Sequence, residues 1–592
     1  MIQYAYKRKL PVIALKLDFH KAFDSVSWSC LHKVLEARGF PQLWISWIHT
    51  LFSTGSSKVL LNGEMGAPIR AKRGFRQGDS LSPYLFIIVA DVLQRMCCHL
   101  FQDGSLVHPL GSDNFFPVLQ YADDTLILFQ GTTQQAAVVK SALTAFSAFF
   151  GLTINFHKST LVPVVVDSST ASAIAQILGC PVSSFPCIYL GLPLSLHKIT
   201  HGMLLPIIHK VDRRLSGWLA TFLSLGGRLT LINSVLTGIS SYFMSCFAWP
   251  KESLGKLESL LRAFFWQGKN KVKGGQCLVA WDTVSLPRIN GGLGIHQLQA
   301  HNQAMMCKFV SNVLQGSDIP CYNWFATHYC RAVLPQRASS RDTTIWKGFR
   351  DLVPMVINSS KCVLGSGLLI SFWKDQWLEV GRLCQLFPTL YSFAAQPACS
   401  VQSQHSNGSW AIQLHPNLSQ TASTELAALQ GLLMGIAPNL LHEDKRSASV
   451  SSGQLCTGYF YRLLTFRGVL TTFHTWVWDV VIPLKHRIFL WLAFRGRLNT
   501  KDNMVKKGWS EAAPFAHCDS CPAVESIDHL LLRCARWSWT FWLARLLMFF
   551  LLWSKHNTRS VSGTNGMWLS RLVLLPCGML GMTESSTPKS GM

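Results

Sequence analysis

Residues 116–129 read FPVLQYADDTLILF, and this stretch does most to decide the fold of the first 195 residues. The runs 116–122 and 125–129 are short and apolar, which predicts two strands. Asp123 and Asp124 stand between the two runs, as in a tight hairpin. An isolated Asp pair is usually a turn former, because aspartate tolerates left-handed backbone geometry. The neighbouring segments must therefore decide what this pair does.

The elements around this hairpin mix strands with helices. Residues 10–17, LPVIALKL, predict a buried strand that ends at Asp18. Asn62-Gly63 indicates a β-hairpin within residues 58–70. The predicted helices are 27–50 with a break at Gly39-Phe40-Pro41, 82–100, and 133–150 with Gly151 as its stop. The sequence has no repeating βα unit, so the predicted fold class is α+β.

Three acidic segments share a place at a strand end or in a loop. They are residues 15–24 (LKLDFHKAFD), 73–83 (RGFRQGDSLSP) and 121–124 (YADD). Nucleotidyl transfer needs carboxylates that hold two divalent cations about 4 Å apart, one at the 3′-hydroxyl and one at the leaving group. Asp18 and the pair Asp123-Asp124 can supply both positions. Mg²⁺ prefers oxygen ligands and keeps several waters, so few protein ligands suffice.

The three segments resemble motifs A, B and C of the reverse transcriptases of plant non-LTR (LINE-type) retrotransposons. Residues 151–159 and 189–194 are similar to motifs D and E, and residues 223–229 and 291–295 to the family's downstream region. The resemblance runs from about residue 10 to residue 550. It implies a right-hand polymerase palm with partial fingers and a helical thumb-like region. The implied activity is RNA-templated synthesis of DNA from dNTPs.

The resemblance implies a role for each matching residue. Asp18, Asp123 and Asp124 would be the catalytic carboxylates that hold two Mg²⁺ ions. Phe23 would be the aromatic gate beneath the incoming sugar, where its ring rejects a 2′-hydroxyl. Lys158 would be the general acid for pyrophosphate. The alternatives are a core aromatic at position 23 and a solvated surface lysine at position 158.

The basic turn of the second segment is implied to contact the nucleotide and the template. The family loop that packs on both is matched by Arg76, Gln77 and Gly78. The expected contacts to template phosphates come from the cations Arg70, Lys72 and Arg73. Such contacts give affinity that is sensitive to salt and independent of sequence. The alternative for these cations is a solvated turn.

Two departures from the family pattern bear on activity. His20 stands where the family usually has a small residue. Only 17 residues precede Asp18, so we expect the basic upstream fingers to be missing and the chain to be an N-terminally truncated copy. The alternative function is a catalytically inactive retrotransposon relic that retains nucleic-acid and zinc binding.

A second candidate site lies near the C-terminus. Cys518, Cys521, His529 and Cys534 have the spacing C-x₂-C-x₇-H-x₄-C. Three thiolates and one imidazole satisfy tetrahedral Zn²⁺ without an open position, which indicates a structural site. A redox CxxC pair, or cysteines that do not converge, are the alternatives. The region also resembles the zinc-binding domain that follows plant LINE reverse transcriptases.

Composition limits the class of protein and its surroundings. The chain has 592 residues and a formal net charge of +24, which points to a polyanionic partner. Apolar residues make up 49%, enough to build a core, which excludes a mainly disordered basic tail. The 18 cysteines are too dilute for a disulfide scaffold, and with no signal peptide apparent we expect them reduced and intracellular. Residues 537–553 are a short apolar candidate for a membrane span, but Arg545 near their middle favours a buried amphipathic helix.

The predicted organisation and partners follow from these segments. The predicted domains are 1–195 palm with partial fingers, 196–315 helical thumb-like region, 316–455 poorly patterned connector, 456–553 small helical zinc-binding domain, and 554–592 disordered tail. Within the connector, most of 393–455 is predicted to be loosely ordered, with a short helix near 424–435. The expected partners are an RNA template, a DNA primer or target, and dNTPs, with no stable membrane insertion. A nuclear location is implied by the family alone.

Overall fold

The computed structural model describes residues 1–111, 118–216, 222–331, 333–336, 338–406, 408–450, 453–466, 477–478, 482–508 and 516–534. The chain forms two compact units, one of residues 1–205, 245–250 and 305–459, the other of residues 206–244, 251–304 and 460 onward. The predicted tail, 554–592, and the apolar segment 537–553 lie outside the described residues.

The first 205 residues mix short strands with longer helices. The strands are β1 (Val12–Leu17), β2 (Ser56–Ser57), β3 (Leu60–Leu61), β4 (Glu64–Met65), β5 (Ile69–Arg70), β6 (Val118–Tyr121), β7 (Asp124–Gln130), β8 (Thr160–Val164), β9 (Cys187–Tyr189) and β10 (Leu192–Leu194). The helices are α1 (Ile2–Lys7), α2 (Ala22–Ser25), α3 (Trp28–Ala37), α4 (Gln42–Ser53), α5 (Ser82–Gln102), α6 (Thr133–Phe150) and α7 (Ser168–Leu178). The predicted α+β class is confirmed.

A four-stranded antiparallel sheet, in the order β6-β7-β1-β8, forms the centre of this region. Both faces of β1 are covered, which explains its continuous apolar sequence. Ile13, Leu15 and Leu17 belong to the main core, which also contains buried residues of α3, α5 and α6. Val12 and Ala14 belong to a smaller core on the other face. The predicted buried strand is confirmed.

Several local predictions are also confirmed. Helix α6 spans Thr133–Phe150, and Gly151 ends it in the left-handed conformation with φ 72°. The Thr132 hydroxyl begins the same helix by accepting the Gln135 N–H. Asn62 and Gly63 have φ angles of 50° and 90° between the paired strands β3 and β4, as a tight hairpin requires.

The second unit is mainly helical in its described part. The helices between residues 201 and 314 are α8 (His201–Ser216), α9 (Leu225–Leu231), α10 (Thr237–Met244), α11 (Lys251–Gln267), α12 (Trp281–Val284) and α13 (Leu298–Leu314). The start of α8 and the last ten residues of α13 belong to the first unit. This agrees with the predicted helical character of residues 196–315.

The segment 316–455 is more ordered than the predicted connector, and the short helix predicted near 424–435 is confirmed as Gln420–Leu433. Its helices are α14 (Pro320–Tyr329), α15 (Thr344–Arg350), α16 (Val353–Asn358), α17 (Leu383–Leu386), α18 (Pro388–Ser392) and α19 (Gln420–Leu433). Its strands are β11 (Cys330–Arg331), β12 (Leu334–Pro335), β13 (Ser360–Val363), β14 (His405–Ser406), β15 (Ser409–Trp410) and β16 (Lys445–Ala448). Phe372 and Trp373 are fully buried in a core that also contains Leu390 and Leu429. These partners lie far apart in sequence, so no local periodicity reveals the core.

Three further helices complete the described chain: α20 (Thr457–Thr465), α21 (Leu484–Phe494) and α22 (Lys501–Lys506). Among the described helices, α5 alone is long and apolar enough to cross a membrane by length and composition. Core helices of soluble proteins meet the same criteria, and Leu85, Val89 and Leu93 of α5 are buried in the main core. This is weak evidence for a span, and the absence of membrane insertion stays a prediction.

Candidate active site and metal centre

Asp18 directly follows β1 and is held there by a loop. Its N–H donates to Ser159 Oγ at 3.0 Å, and its carbonyl oxygen accepts the Asn155 N–H at 2.8 Å. The Ser159 hydroxyl donates in turn to the Asn155 carbonyl at 2.8 Å. The backbone of Asp18 is therefore fixed by the loop that precedes β8.

Asp123 lies in the turn between β6 and β7, and Asp124 is the first residue of β7. Tyr121 pairs with Asp124, so Ala122 and Asp123 form a two-residue connection, with Ala122 in the left-handed region at φ 53°. Asp123 is exposed and Asp124 is half-buried. The hydroxyl of Tyr189 donates to the Asp124 carbonyl at 3.2 Å and so links the turn to β9.

The strand register brings the two acidic positions to one end of the sheet. Leu17 on β1 lies opposite Thr125 on β7. Asp18 follows Leu17 and Asp124 precedes Thr125, so both acidic residues lie at the same end of the sheet. Their carboxylates and that of Asp123 offer the hard oxygen ligands that Mg²⁺ prefers. The three do not gather all their donor atoms within 4.8 Å of one another, as a set of ligands to one ion would; among the described residues only the Cys/His group does so.

Phe23 lies on α2, five residues after Asp18. Its ring stacks on Phe86 of α5 with centroids 4.5 Å apart and an interplanar angle of 17°. The Phe23 side chain is half-buried, at the border of the main core. This position leaves part of the ring open to solvent while its orientation is fixed by the stack.

The basic turn of residues 73–78 is docked on the segment that carries Phe23. The Phe75 N–H donates to the Phe23 carbonyl at 2.6 Å, and the Gly74 N–H donates to the Val26 carbonyl at 2.7 Å. Gly74 has φ 81°, and a Cβ there would overlap the backbone of Asp24. Glycine is therefore required at this position by both backbone conformation and close approach.

The polar residues of this turn are only partly engaged. Gln77 Nε2 donates to Asp24 Oδ1 at 3.2 Å. The guanidinium of Arg76 occupies the space beside Gly55 where a side chain would stand. Arg73 and Gly78 are exposed. The cation Arg73 and the backbone at Gly78 are thus accessible to solvent beside α2.

Lys158 is exposed on the loop that holds Asp18. Its N–H donates to the Asn155 carbonyl at 3.1 Å, and the neighbouring Ser159 is fully buried. The loop is therefore rigidly anchored next to Asp18, while the ammonium group of Lys158 remains in solvent. Sequence reasoning missed the anchoring role of Ser159, although a small hydroxyl residue right after Lys158 was a signal.

The Cys/His group converges as its spacing predicts. Ligand atoms of Cys518, Cys521, His529 and Cys534 all lie within 4.8 Å of one another. Cys518 Sγ is 3.9 Å from Cys534 Sγ, and Cys521 Sγ is 3.1 Å from His529 Nε2. These separations and the soft donor set fit a tetrahedral Zn²⁺ with Zn–S bonds of about 2.3 Å.

Local structure shapes this centre. His517 and Val524 form an antiparallel bridge that folds the Cys518–Cys521 loop back on itself. The Ser520 N–H contacts the Cys518 sulfur at 3.5 Å and lowers the pKa of that thiol, which favours the thiolate needed for metal binding. Lys501 on α22 donates to the His517 carbonyl at 3.1 Å and forms an ion pair with Asp519.

Comparison with known proteins agrees with this geometry. Residues 2–194 match the family described as reverse transcriptase (RNA-dependent DNA polymerase). Residues 2–194 therefore carry the features of a reverse transcriptase domain. Residues 457–542 match a second family, described as zinc-binding in reverse transcriptase, and they include all four Cys/His residues.

Relatives of this chain come from several organisms. A putative ribonuclease H protein of Arabidopsis thaliana is 27% identical over 353 residues, which cover 57% of this chain and 55% of that protein. The transposon TX1 uncharacterized 149 kDa protein of Xenopus laevis is 25% identical, over 56% of this chain and 25% of its own length. A retrovirus-related Pol polyprotein from the type-1 retrotransposable element R2 of Popillia japonica is 30% identical, over 25% of this chain and 20% of its own. The chain thus spans about half or less of the length of these relatives. The matches do not favour the alternative of an inactive relic.

Proposed function

We propose that the chain is an RNA-directed DNA polymerase of a plant LINE-type retrotransposon and acts by two-metal nucleotidyl transfer. The observation that carries the proposal is the register of β1 and β7. Asp18 and Asp124 lie at one end of the sheet, and Asp123 lies on the adjoining turn. The reverse transcriptase match of residues 2–194 supports it. The substrates would be dNTPs, an RNA template and a DNA primer or target.

Asp18, Asp123 and Asp124 would hold two Mg²⁺ ions. When bound, such ions lower the pKa of the primer 3′-hydroxyl and neutralise charge on the triphosphate. Asp18 is positioned for this by its two backbone hydrogen bonds to the 155–159 loop. Lys158, on the same loop, would give a proton to the departing pyrophosphate.

Nucleotide selection would depend on Phe23 and the basic turn. The stack on Phe86 restrains the Phe23 ring, so the ring cannot easily move away from a 2′-hydroxyl. Arg76, Gln77 and Gly78 would contact the nucleotide and the template, and Arg73 the template phosphates. The backbone bonds from Gly74 and Phe75 hold this turn against the Phe23 segment.

We further infer the architecture of a right-hand polymerase. The four-stranded sheet would be the palm, residues 42–78 part of the fingers, and the helical residues 196–315 a thumb-like region. The Cys/His centre would hold one Zn²⁺ as a structural ion, because four protein ligands leave no open position for chemistry.

The proposal is tested by primer extension with the purified full chain. A DNA primer annealed to an RNA template should be extended with dNTPs and Mg²⁺. Asp123→Asn should reduce the rate by about 10²-fold or more, because a neutral amide does not hold the cation pair. Asp351→Asn makes the same chemical change at a side chain that is 75% exposed, and should leave the rate unchanged. Extension that survives Asp123→Asn would place the active site elsewhere.

A further inference from the structure

A surface cleft of about 510 Å³ lies on α3 and α4, beside the basic turn. Its polar lining comes from Ser25, Ser27, Ser29, His32, His49, Lys72 and Arg73. Every one of these side chains can donate a hydrogen bond, and two carry permanent positive charge. No carboxylate is among the residues that line the cleft. This chemistry suits an anion.

The N-terminus of α3 adds to the positive character of the cleft. Helix α3 has ten residues, and its N-cap Ser27 makes no side-chain capping bond. The Ser27 and Ser29 hydroxyls lie 2.9 Å apart and bond to each other instead. The first turn also has no acidic residue. The partial positive charge of this helix end is therefore not offset by the local sequence.

One ring nitrogen of His32 has no hydrogen-bond partner among the described residues. Its Nε2 is buried and has no partner in the described part of the chain. Burial, and then the neighbouring His49, whose ring centroid lies 5.4 Å away, lower the pKa of His32. The opposing effect of Glu36 is smaller, and Glu36 also accepts a hydrogen bond from Gln42. The lowered pKa favours the neutral imidazole, and the tautomer with its proton on Nε2 would offer one N–H to a ligand.

A second cleft of about 350 Å³ adjoins the first. The two share Trp28 and Arg73, and the second continues along the basic turn to Arg76 and Gln77. One carboxylate, Asp24, lines the second cleft and accepts a hydrogen bond from Gln77 Nε2 at 3.2 Å. Trp28 Nε1 donates to the Gly74 carbonyl at 2.7 Å, which fixes the wall between them. A single free phosphate needs one site, whereas two clefts in succession suit consecutive phosphates of a strand.

We propose that the cleft on α3 and α4 binds a phosphodiester of the single-stranded template, with Lys72 and Arg73 as cations and His32 as a neutral donor. The proposal extends the proposed polymerase function, on which it rests for the identity of the strand. A free phosphate or a nucleotide offers the same anionic oxygens as a phosphodiester, but it would not extend through both clefts.

The test measures binding of a labelled single-stranded RNA to the full chain by fluorescence anisotropy between 50 and 200 mM salt, roughly the range over which phosphate contacts weaken. Lys72→Gln and Arg73→Gln should each reduce the slope of log affinity against log salt by about 0.7, the value for one phosphate contact on a single strand. His32→Ala should weaken binding about fivefold without changing the slope, because a neutral donor releases no counterion.

Two variants separate this role from misfolding. His32→Gln retains an N–H donor and should recover most of the affinity. Lys361→Gln removes an exposed charge on β13 and should change neither affinity nor slope. The proposal would be overturned if His32→Ala, Lys72→Gln and Arg73→Gln all bound RNA with the same affinity and salt slope as Lys361→Gln.

Competition identifies the source of the phosphate. Inorganic phosphate and dNTPs should compete with RNA only at millimolar concentration. Tight binding of either one at the cleft, with RNA affinity insensitive to Lys72→Gln, would overturn the template assignment. The outcome is independent of catalysis: a chain that extends primers but binds RNA without the cleft refutes only this inference. A chain that binds through the cleft but does not extend primers refutes only the polymerase function.

Discussion

The buried hydroxyl of Ser159 accepts the backbone N–H of Asp18 at 3.0 Å, so the position of Asp18 at the end of β1 depends on a residue 141 positions away. The same hydroxyl donates to the Asn155 carbonyl, which closes a small network under the proposed metal ligand. Ser159 is fully buried, and no water can easily replace its bonds.

Ser159→Ala should leave the Asp18 N–H and the Asn155 carbonyl without this partner, at a cost of about 1–3 kcal/mol in stability. A shift of Asp18 by about 1 Å can reduce the rate by about 10²-fold. We expect single-nucleotide incorporation to lose at least a factor of ten in kcat. Thr144→Ala, which removes an exposed hydroxyl bond to the Lys140 carbonyl, is the control and should have no effect on kcat. Equal rates for the two variants would contradict the positioning role.

Phe23→Val tests whether this ring is a gate or a core aromatic. A smaller side chain leaves room for a 2′-hydroxyl, so the preference for dNTP over rNTP should fall about tenfold or more, equivalent to about 1.4 kcal/mol. The measurement is the ratio of kcat/KM for dCTP and CTP on one template. Phe86→Leu removes the stacking partner 4.5 Å away but keeps the Phe23 ring, and should reduce the preference less. A loss of stability with unchanged nucleotide preference would identify Phe23 as a core residue only.

Features encoded by nearby residues could be predicted from the sequence. The strand before Asp18, the Asn62-Gly63 hairpin and the Gly151 helix stop each follow from a few consecutive residues, because backbone conformation is set locally there. The Cys/His group follows from its spacing, because a short chain between ligands limits where they can lie.

Features made by distant residues could not be predicted. Asp375 and Arg446 are 71 positions apart, and neither position has a periodic pattern that marks it as buried. The sequence therefore predicts only a poorly patterned connector over residues 316–455. The cleft on α3 and α4 likewise joins His32 to His49 and to the turn at Lys72, and its lining becomes evident only when the helices are packed.

The Cys/His group of residues 518–534 gives a prediction about metal removal. Purified protein should carry about one Zn²⁺, and Cys518→Ser or Cys521→Ser should release it, because each removes one of four converging ligands. Structural zinc contributes about 10–16 kcal/mol of binding free energy to such domains, so residues 516–534 should also lose their protection from hydrogen exchange. Zinc content is measured with a colorimetric chelator after denaturation. Cys456→Ser, at an exposed cysteine outside the group, should keep its zinc. Wild-type protein that is zinc-free and equally well protected would refute the assignment.

The last prediction concerns the buried ion pair in the segment 316–455. Arg446 Nη1 and Nη2 donate to the two Asp375 oxygens at 2.7 and 2.8 Å, and both side chains are at most 3% exposed. Arg446→Met leaves the buried Asp375 carboxylate without its cation, which should lower the free energy of unfolding by about 3–5 kcal/mol. Hydrogen exchange in the paired strands Ser360–Val363 and Lys445–Ala448 should then be faster by about 10²-fold or more, since a factor of ten corresponds to about 1.4 kcal/mol.

The double variant Arg446→Met with Asp375→Leu removes both charges and should recover much of the protection, because apolar replacement of a whole buried pair is often neutral. Lys445→Met changes an exposed cation on the same strand and should exchange like the wild type. Normal protection in Arg446→Met would show that the pair does not hold these strands together.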